Sequence, residues 1–280
     1  MKDYDLIDSG DGRRLERFGK YFLDRPDPQI IWKKTLSIGE WQKGDAFFER
    51  TTEDKGRWIT RSKIPEKWQL KYKGIKFWAK LSPFKHTGIF PEQSWQWDYI
   101  FENVKSEGQG VKVLNLFAYT GIASLFAAKA GAKVTHLDAS KQAITWANEN
   151  RALNGMEAAP IRWIIDDAVK FTAREIKRGV KYDAIIMDPP VYGHGPTGEV
   201  WDFNKNFPKL LENCKQILTS KPLFILVNAY AISSSSITLA NTLNDYFRGL
   251  GGGIENGELT LKEKSAGRLL STGIWARWEK

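Results

Sequence analysis

The sequence predicts an α/β fold: a doubly wound, seven-stranded, mostly parallel sheet over residues 85–280, preceded by a small β-rich domain at 1–84. Three observations carry this reading. Residues 111–138, VKVLNLFAYTGIASLFAAKAGAKVTHLD, run from a buried apolar strand through a tight glycine-closed loop and a helix into a second strand ending on an acid. The βα alternation then continues to about Phe247. Finally, residues 254–261 and 272–278 read as a closing strand pair, a hairpin on the edge of the sheet.

Within 1–84 no long amphipathic helix is legible. Asp8-Ser9-Gly10-Asp11-Gly12 and Pro26-Asp27-Pro28 are turn clusters, and Leu15, Phe18, Tyr21 and Leu23 between them are spaced too irregularly to assign. The clearest element is the hairpin WQLKYKGIKFWAKL at 68–81, turning at Lys73-Gly74. A two-residue turn pairs Tyr72 with Ile75, Leu70 with Phe77 and Trp68 with Ala79, which makes one face apolar. The other face carries Lys71, Lys76, Lys80 and an exposed Trp78. Residues 91–104 become helical, with Pro91 early and Glu92 in the first turn.

Beyond Asp138 each unit has its own signal. Ser140 is an N-cap for a helix that stops near Asn154-Gly155. Residues 161–165 are a third strand ending in Asp166-Asp167-Ala168, followed by a helix to about Gly179. Residues 182–187 are a fourth strand ending in Asp188-Pro189-Pro190, and VYGHGPTGEV, 191–200, is a flexible loop. A helix around 207–218, a fifth strand at 223–227 and a helix at about 235–247 complete the alternation.

The chain has 280 residues, of which 42% are hydrophobic, enough for a sizeable core. Its one cysteine, Cys214, excludes a disulfide framework and a thiolate metal cluster, and fits a reducing, cytoplasmic setting. His86, His136 and His194 have no metal-ligand spacing, so no metal is expected. No apolar run reaches the roughly 18 residues of a membrane span, and MKDYDLIDSG does not resemble a signal peptide. The net charge is +9, concentrated at 55–85, where ten lysines and arginines face one acid, Glu66. A field focused in this way favours a polyanion. Lys71, Lys73, Lys76, Lys80 and Trp78 suit RNA, the amines neutralising phosphates and the indole stacking on a base; the alternative is an ordinary solvated sheet face.

Parallel strands bring Phe117 at the end of the first strand, Ala118, the Tyr119-Thr120-Gly121 loop, Asp138-Ala139, Asp166-Asp167-Ala168 and Asp188 to one edge of the sheet. Asp138 lies 17 residues beyond Gly121, a spacing suited to holding ribose hydroxyls, and Asp167 with the amides near Ala168 can meet an adenine. The three glycines of a dinucleotide fingerprint are absent and Tyr119 obstructs a pyrophosphate. A nucleoside without phosphate suits the loop better, and S-adenosylmethionine is such a ligand.

LNLFAYTG (114–121), LDAS (137–140), DDA (166–168) and MDPP (187–190) resemble the successive motifs of class I S-adenosylmethionine-dependent methyltransferases, within the bacterial branch related to large-subunit ribosomal RNA methyltransferases. HTGIFPEQ (86–93) resembles that branch's upstream element, with Glu92 where aspartate is usual. The resemblance spans about 82–230 specifically and 1–81 loosely. It implies the Rossmann-like seven-stranded methyltransferase sheet, S-adenosylmethionine as cofactor, and Phe90 and Gln93 packing beside it. Relatives often add an amino-terminal RNA-binding domain, for which no room is expected here.

Two departures shape the expected chemistry. Methylation at pyrimidine C5 needs a cysteine nucleophile, and relatives with that activity place it where this chain reads DPP (188–190) or VNAYA (227–231). Cys214 falls in a helix and reads as a small core residue, so C5 chemistry is rejected. Val191-Tyr192 follows the two prolines where relatives have lysine and an aromatic; amino-nitrogen enzymes place the aromatic one position earlier. The expected reaction is methyl transfer to a base nitrogen of RNA. Asp188 holds the amine, Pro189 and Pro190 orient it, and Tyr192 stacks on the base. His194 is a candidate base but reads more simply as a solvated loop residue. A methyltransferase for protein or small molecules, and a non-catalytic RNA-binding relative, stay open as alternatives. The oligomeric state is not legible.

Overall fold

The computed structural model describes residues 1–51, 56–83, 85–230 and 232–280. Lys55 of the basic segment, Phe84 at the expected domain boundary and Ala231 lie outside the described residues. The chain divides into two compact units, Met1–Ser94 with Thr260–Ser271, and Trp95–Leu259 with Thr272–Lys280. The expectation of two continuous domains, 1–84 and 85–280, therefore differs at both ends. A late segment joins the first unit because its backbone and acids are answered there. The Lys264 and Ser265 N–H groups donate to the Leu6 and Ile7 carbonyls at 2.9 and 3.0 Å, and the buried Glu263 carboxylate accepts from the Ser9 N–H at 2.7 Å.

In the first unit five strands form one sheet in chain order: β1 (Tyr4–Gly10), β2 (Arg13–Phe18), β3 (Tyr21–Pro26), β4 (Ala46–Arg50) and β5 (Gly56–Thr60). The short helix α1 (Ile38–Gln42) opens on a capping box between Ser37 and Glu40. Of the expected Asp8–Gly12 turn cluster only Asp11-Gly12 turns, both at positive φ; Asp8, Ser9 and Gly10 belong to β1. Strands β2 and β3 were unassignable by pattern because charged residues occupy interior positions. Arg14, Glu16, Asp24 and Arg25 are all buried. Arg25 grips Glu16 through two nitrogens at 2.6 and 2.7 Å, the Tyr4 hydroxyl donates to Glu16 at 2.8 Å, and Arg14 stands 3.3 Å from it.

The hairpin β6 (Trp68–Tyr72) and β7 (Ile75–Ala79) has the expected register, Trp68 with Ala79, Leu70 with Phe77 and Tyr72 with Ile75. Lys73 and Gly74 both have positive φ, the turn geometry that matches strand twist. Lys71, Lys73 and Lys76 are exposed. Trp78 corrects the expectation of an exposed indole: it is half-buried, with the Lys67 ammonium 4.8 Å from its ring centre.

The second unit begins at α2 (Ser94–Glu107), preceded by a short 3-10 turn at Pro91–Gln93. There follow β8 (Lys112–Leu116), α3 (Ile122–Lys129), β9 (Lys133–Asp138), α4 (Lys141–Leu153), β10 (Ile161–Ile165), α5 (Ala168–Lys177) and β11 (Ala184–Met187). After β12 (Tyr192–His194) and β13 (Val200–Asp202) come α6 (Phe203–Ile217), β14 (Phe224–Ala229), α7 (Ser236–Phe247), β15 (Gly253–Lys262) and β16 (Leu269–Glu279). The seven-stranded sheet has the order β10-β9-β8-β11-β14-β16-β15, parallel through β14 and antiparallel at β16. The order reverses between β8 and β11, the place where open α/β sheets bind ligands at the carboxyl ends of their strands. On one face Leu114, Leu116, Ile185, Met187, Ile225 and Val227 pack with α5, α6 and α7. On the other, Trp97 of α2 stacks on Phe126 of α3 at 5.8 Å.

The loop expected at 191–200 is a correction. It is a two-stranded hairpin, with Tyr192 opposite Asp202, Gly193 opposite Trp201 and His194 opposite Val200. Helix α6 correspondingly starts four residues earlier than expected, capped by Asp202, whose side chain accepts from the Lys205 N–H. Among the described residues no helix is long and apolar enough to cross a membrane.

Candidate active site

Sheet register sets the site. Ile165 pairs with Asp138, Leu137 with Leu116, Leu116 with Met187, and Met187 with Val227. One step beyond these pairs stand Asp166, Phe117, Asp188 and Asn228, so the polar strand ends lie along a single rim. The Asp166 N–H donates to the Asp138 carbonyl at 3.2 Å, and the Ala118 N–H to the Leu137 carbonyl at 3.0 Å.

The loop after β8 is strained. Phe117 belongs to it and not to the strand, with φ of 53°; Tyr119 follows at 49° and Gly121 at 80°. A side chain held in this left-handed region costs on the order of 1–3 kcal/mol. Gly121 is obligatory on a second ground, because a Cβ there would stand 2.9 Å from the Ala147 Cβ. Beneath it His136 is fully buried. Its Nδ1 lies 3.0 Å from the Ser124 hydroxyl, which accepts from the Asn115 amide at 2.9 Å. Burial pushes this imidazole down to about 3, so it is a neutral prop for the loop. Thr120 is buried, and its carbonyl accepts from the Asn150 amide at 2.9 Å.

Asp138 ties this loop to the next. Its Oδ2 accepts from the Tyr119 N–H and its Oδ1 from the Ser140 N–H, both at 2.8 Å. Burial raises its carboxyl above the usual range, and these two N–H groups draw it back only in part. A carboxylate offers about four lone-pair sites. Each oxygen therefore keeps one for a further donor, and a vicinal diol fits that pair. Ala139 is half-buried beside it.

The third strand end is divided in its roles. Asp166 is ion-paired with Arg174 and accepts from the Asp167 N–H at 2.9 Å. Asp167 is buried and caps α5, Oδ1 accepting from the Lys170 N–H at 2.8 Å, so that oxygen holds the helix. Ala168 is the first residue of α5 and is buried. Ile165, paired with Asp138, is 45% exposed although it lies in the sheet. An uncovered aliphatic side chain beside a carboxylate with acceptor sites to spare is a surface that the flat face of an adenine would fit. These residues suit an adenosyl group.

Asp188 is half-buried, Pro189 buried and Pro190 exposed. The Pro190 carbonyl accepts from the Trp201 indole N–H at 2.6 Å. Trp201 is buried and its ring lies 4.8 Å from that of Phe117. Sequence reasoning missed Trp201 by placing it just past a flexible loop; its signal was the Asp202 cap that follows. Tyr192 is 58% exposed and so is no core aromatic, and its ring meets that of His194 edge-on at 5.4 Å. Cys214 is fully buried in α6 and its thiol is pushed up by that burial, so it cannot present a thiolate here. Two further residues went unread. Gln96 and Asn228 exchange amide hydrogen bonds of 2.7 and 2.9 Å and fix the end of β14. Phe90 and Gln93 are in the first unit: the Phe90 ring lies 5.4 Å from His86, and the Gln93 N–H donates to the Phe90 carbonyl at 3.0 Å.

The sequence profile of the S-adenosylmethionine-dependent methyltransferase family matches residues 48–243. The chain is 33% identical over 196 residues to ribosomal RNA large subunit methyltransferase K/L of Shewanella frigidimarina, covering 69% of this chain and 25% of that one. It is 25% identical over 238 residues to ribosomal RNA large subunit methyltransferase K of Neisseria meningitidis serogroup B, covering 78% and 63%. The chain thus spans between a quarter and two thirds of the length of these relatives. A crystal structure of a SAM-dependent methyltransferase from Agrobacterium tumefaciens superposes with a TM-score of 0.95 at 44% identity, over 99% of this chain and 90% of that one.

Proposed function

The chain belongs to the S-adenosylmethionine-dependent methyltransferase family, and from that premise we propose that it transfers methyl groups to a base nitrogen of RNA, with ribosomal RNA the substrate that its relatives' names suggest. The observation that carries the reading is the row of strand ends: Asp138, with one valence left on each oxygen, shares a sheet rim with Asp188-Pro189-Pro190. In this reading Asp138 accepts the ribose hydroxyls, Ile165 covers one face of the adenine, and Asp166, Asp167 and Ala168 frame its edge. The Phe117–Gly121 loop lies against the amino-acid portion.

When bound, the cofactor supplies a methyl group on a sulfonium, whose S–C bond breaks as the N–C bond forms, leaving a neutral thioether. The residues of this chain position the acceptor. Asp188 accepts a hydrogen bond from the base nitrogen and keeps its lone pair in line, and the Pro189-Pro190 turn fixes that carboxylate. Trp201 holds the turn from behind through the Pro190 carbonyl, which leaves Pro190 less free to orient the amine than the bare motif implies. Tyr192 offers an exposed ring for base stacking. Once methylated, the nitrogen sheds its proton, through Asp188, to solvent. Positioning of this kind is the main source of acceleration when the electrophile is already activated.

The basic face of the β6–β7 hairpin supports RNA as the substrate class, since Lys71, Lys73, Lys76 and Lys80 can answer phosphates. On this reading the chain works where its substrate is, which for its bacterial relatives is the cytoplasm. The test is transfer of tritiated methyl to unmodified large-subunit ribosomal RNA, followed by nucleoside mass spectrometry. The parent should label one nucleoside at nitrogen, and Asp188→Ala should lower kcat by about 10²-fold or more while cofactor affinity stays near the parent's. A label at carbon C5, or full turnover in Asp188→Ala, would contradict the assignment.

A further inference from the structure

We propose that the β12–β13 hairpin is the platform that receives the acceptor base, and that Lys170 and Glu199 are the positioning residues that hold it; the inference rests on the RNA reading above. The register divides the hairpin into two faces. Gly193 and Trp201 form an opposed pair on one face; Tyr192, His194 and Val200 stand on the other. Trp201 is buried against Phe117 and bonded to the Pro190 carbonyl, so the inner face is fixed to the Asp-Pro-Pro turn. The outer face is uncovered. Tyr192 is 58% and Val200 54% exposed, and His194 is exposed with its ring edge-on to Tyr192. An aromatic pair beside an aliphatic side chain, directly after the residues that would hold the amine, is a stacking surface for one base.

Two strands of three residues do not hold a fixed position unaided. The tip of this hairpin is strapped. The Gly195 N–H donates to the Glu199 carbonyl at 2.8 Å, and the Glu199 carboxylate accepts from the Thr197 N–H at 3.0 Å and from the Thr197 hydroxyl. The same carboxylate accepts from the Lys170 ammonium at 2.5 Å. Lys170 lies in the first turn of α5, and its own N–H is the one capped by Asp167. The strap thus joins the hairpin tip to the helix that begins at the adenine-facing segment. Lys170 is 56% exposed, so the pair adds little to global stability, and its loss acts locally.

The experiment measures methyl transfer to unmodified large-subunit ribosomal RNA and S-adenosylmethionine affinity by calorimetry, in Lys170→Met, Glu199→Gln, the double variant and the charge-swapped Lys170→Glu/Glu199→Lys. Methionine keeps the lysine stem, and glutamine keeps an acceptor for Thr197. Each single change should raise KM for RNA about tenfold, with cofactor Kd within about twofold of the parent. The double variant should be no worse than the worse single, and the swapped pair, which restores the ion pair but not the acceptor for Thr197, should recover part of the affinity. An unchanged KM in both singles overturns the inference, as does a parallel loss of cofactor affinity, which would make the pair a fold contact. A parent that binds the cofactor but methylates no RNA overturns the functional reading, and the platform with it.

Discussion

The two units use charge in opposite ways. In the N-terminal unit the buried acids Glu16 and Asp8 are answered from within. Glu16 takes four short contacts, one from Tyr4, one from Arg14 and two from Arg25, and Asp8 accepts from Ser265, Trp41 and the Leu36 N–H. At the rim of the parallel sheet Asp138 is only half-answered, by one backbone N–H on each oxygen. Buried charge that is saturated by its own chain specifies a fold. Charge left with spare valence, at the end of a strand and beside an uncovered Ile165, is what the proposed function assigns to a ligand.

The sharpest way to break this comparison is Glu16→Ala. It strands Arg14 and Arg25 without their shared carboxylate, in a site where both are buried. Losing one partner of a buried ion cluster costs about 3–5 kcal/mol. Urea denaturation should show a loss of that size, and a loss below about 1 kcal/mol would mean the cluster is incidental to the fold.

These same residues explain what the sequence concealed. Strand pattern reading looks for apolar residues at every second position, and β2 and β3 bury Arg14, Glu16, Asp24 and Arg25, so the alternation is invisible until their partners are known. Where burial is apolar the reading held, as in the β6–β7 register and in the βα order from β8 to β14. The strand ends could be placed from sequence because parallel topology leaves them one edge to occupy. Three things could not. The positive φ at Phe117 and Tyr119 has no glycine to announce it. Trp201 and the Lys170–Glu199 pair depend on a hairpin whose strands are too short for periodicity. Asp167 looks like a ligand residue in sequence, and its cap to Lys170 is visible only once the helix start is known.

A smaller effect is expected at the rim. Asp138→Ala removes the acceptor of both loop N–H groups and, in the functional reading, of two hydroxyls. Hydrogen bonds to a charged group are worth about 1.5–3 kcal/mol net. Calorimetry should therefore find S-adenosylmethionine binding weakened about tenfold to a hundredfold. Equal affinity in variant and parent would place the ribose elsewhere and dissolve the contrast between the units.

The gentlest probe is pH, because the two regions respond with opposite signs. Burial alone would raise Asp8, yet hydrogen bonds from Ser265, from the neighbouring Glu263 carboxyl, from the Leu36 N–H and from Trp41 hold it down at about 2, against about 4 in an unfolded chain. A carboxyl depressed in the folded state contributes stability that is complete above pH 4 and is lost as pH falls from about 4 through about 2. Glu16 is shifted the same way: burial would raise it, and Arg14 and Arg25 outweigh that. Asp138 is shifted upward by burial, so it takes up a proton at a higher pH than an ordinary aspartate and then has one acceptor fewer. Acidification should thus weaken cofactor binding several-fold while near-ultraviolet circular dichroism still reports the native fold, and unfolding should follow only at lower pH. Binding and fold lost together over one pH range would show that the rim acid is no more open to solvent and ligand than the acids of the N-terminal sheet.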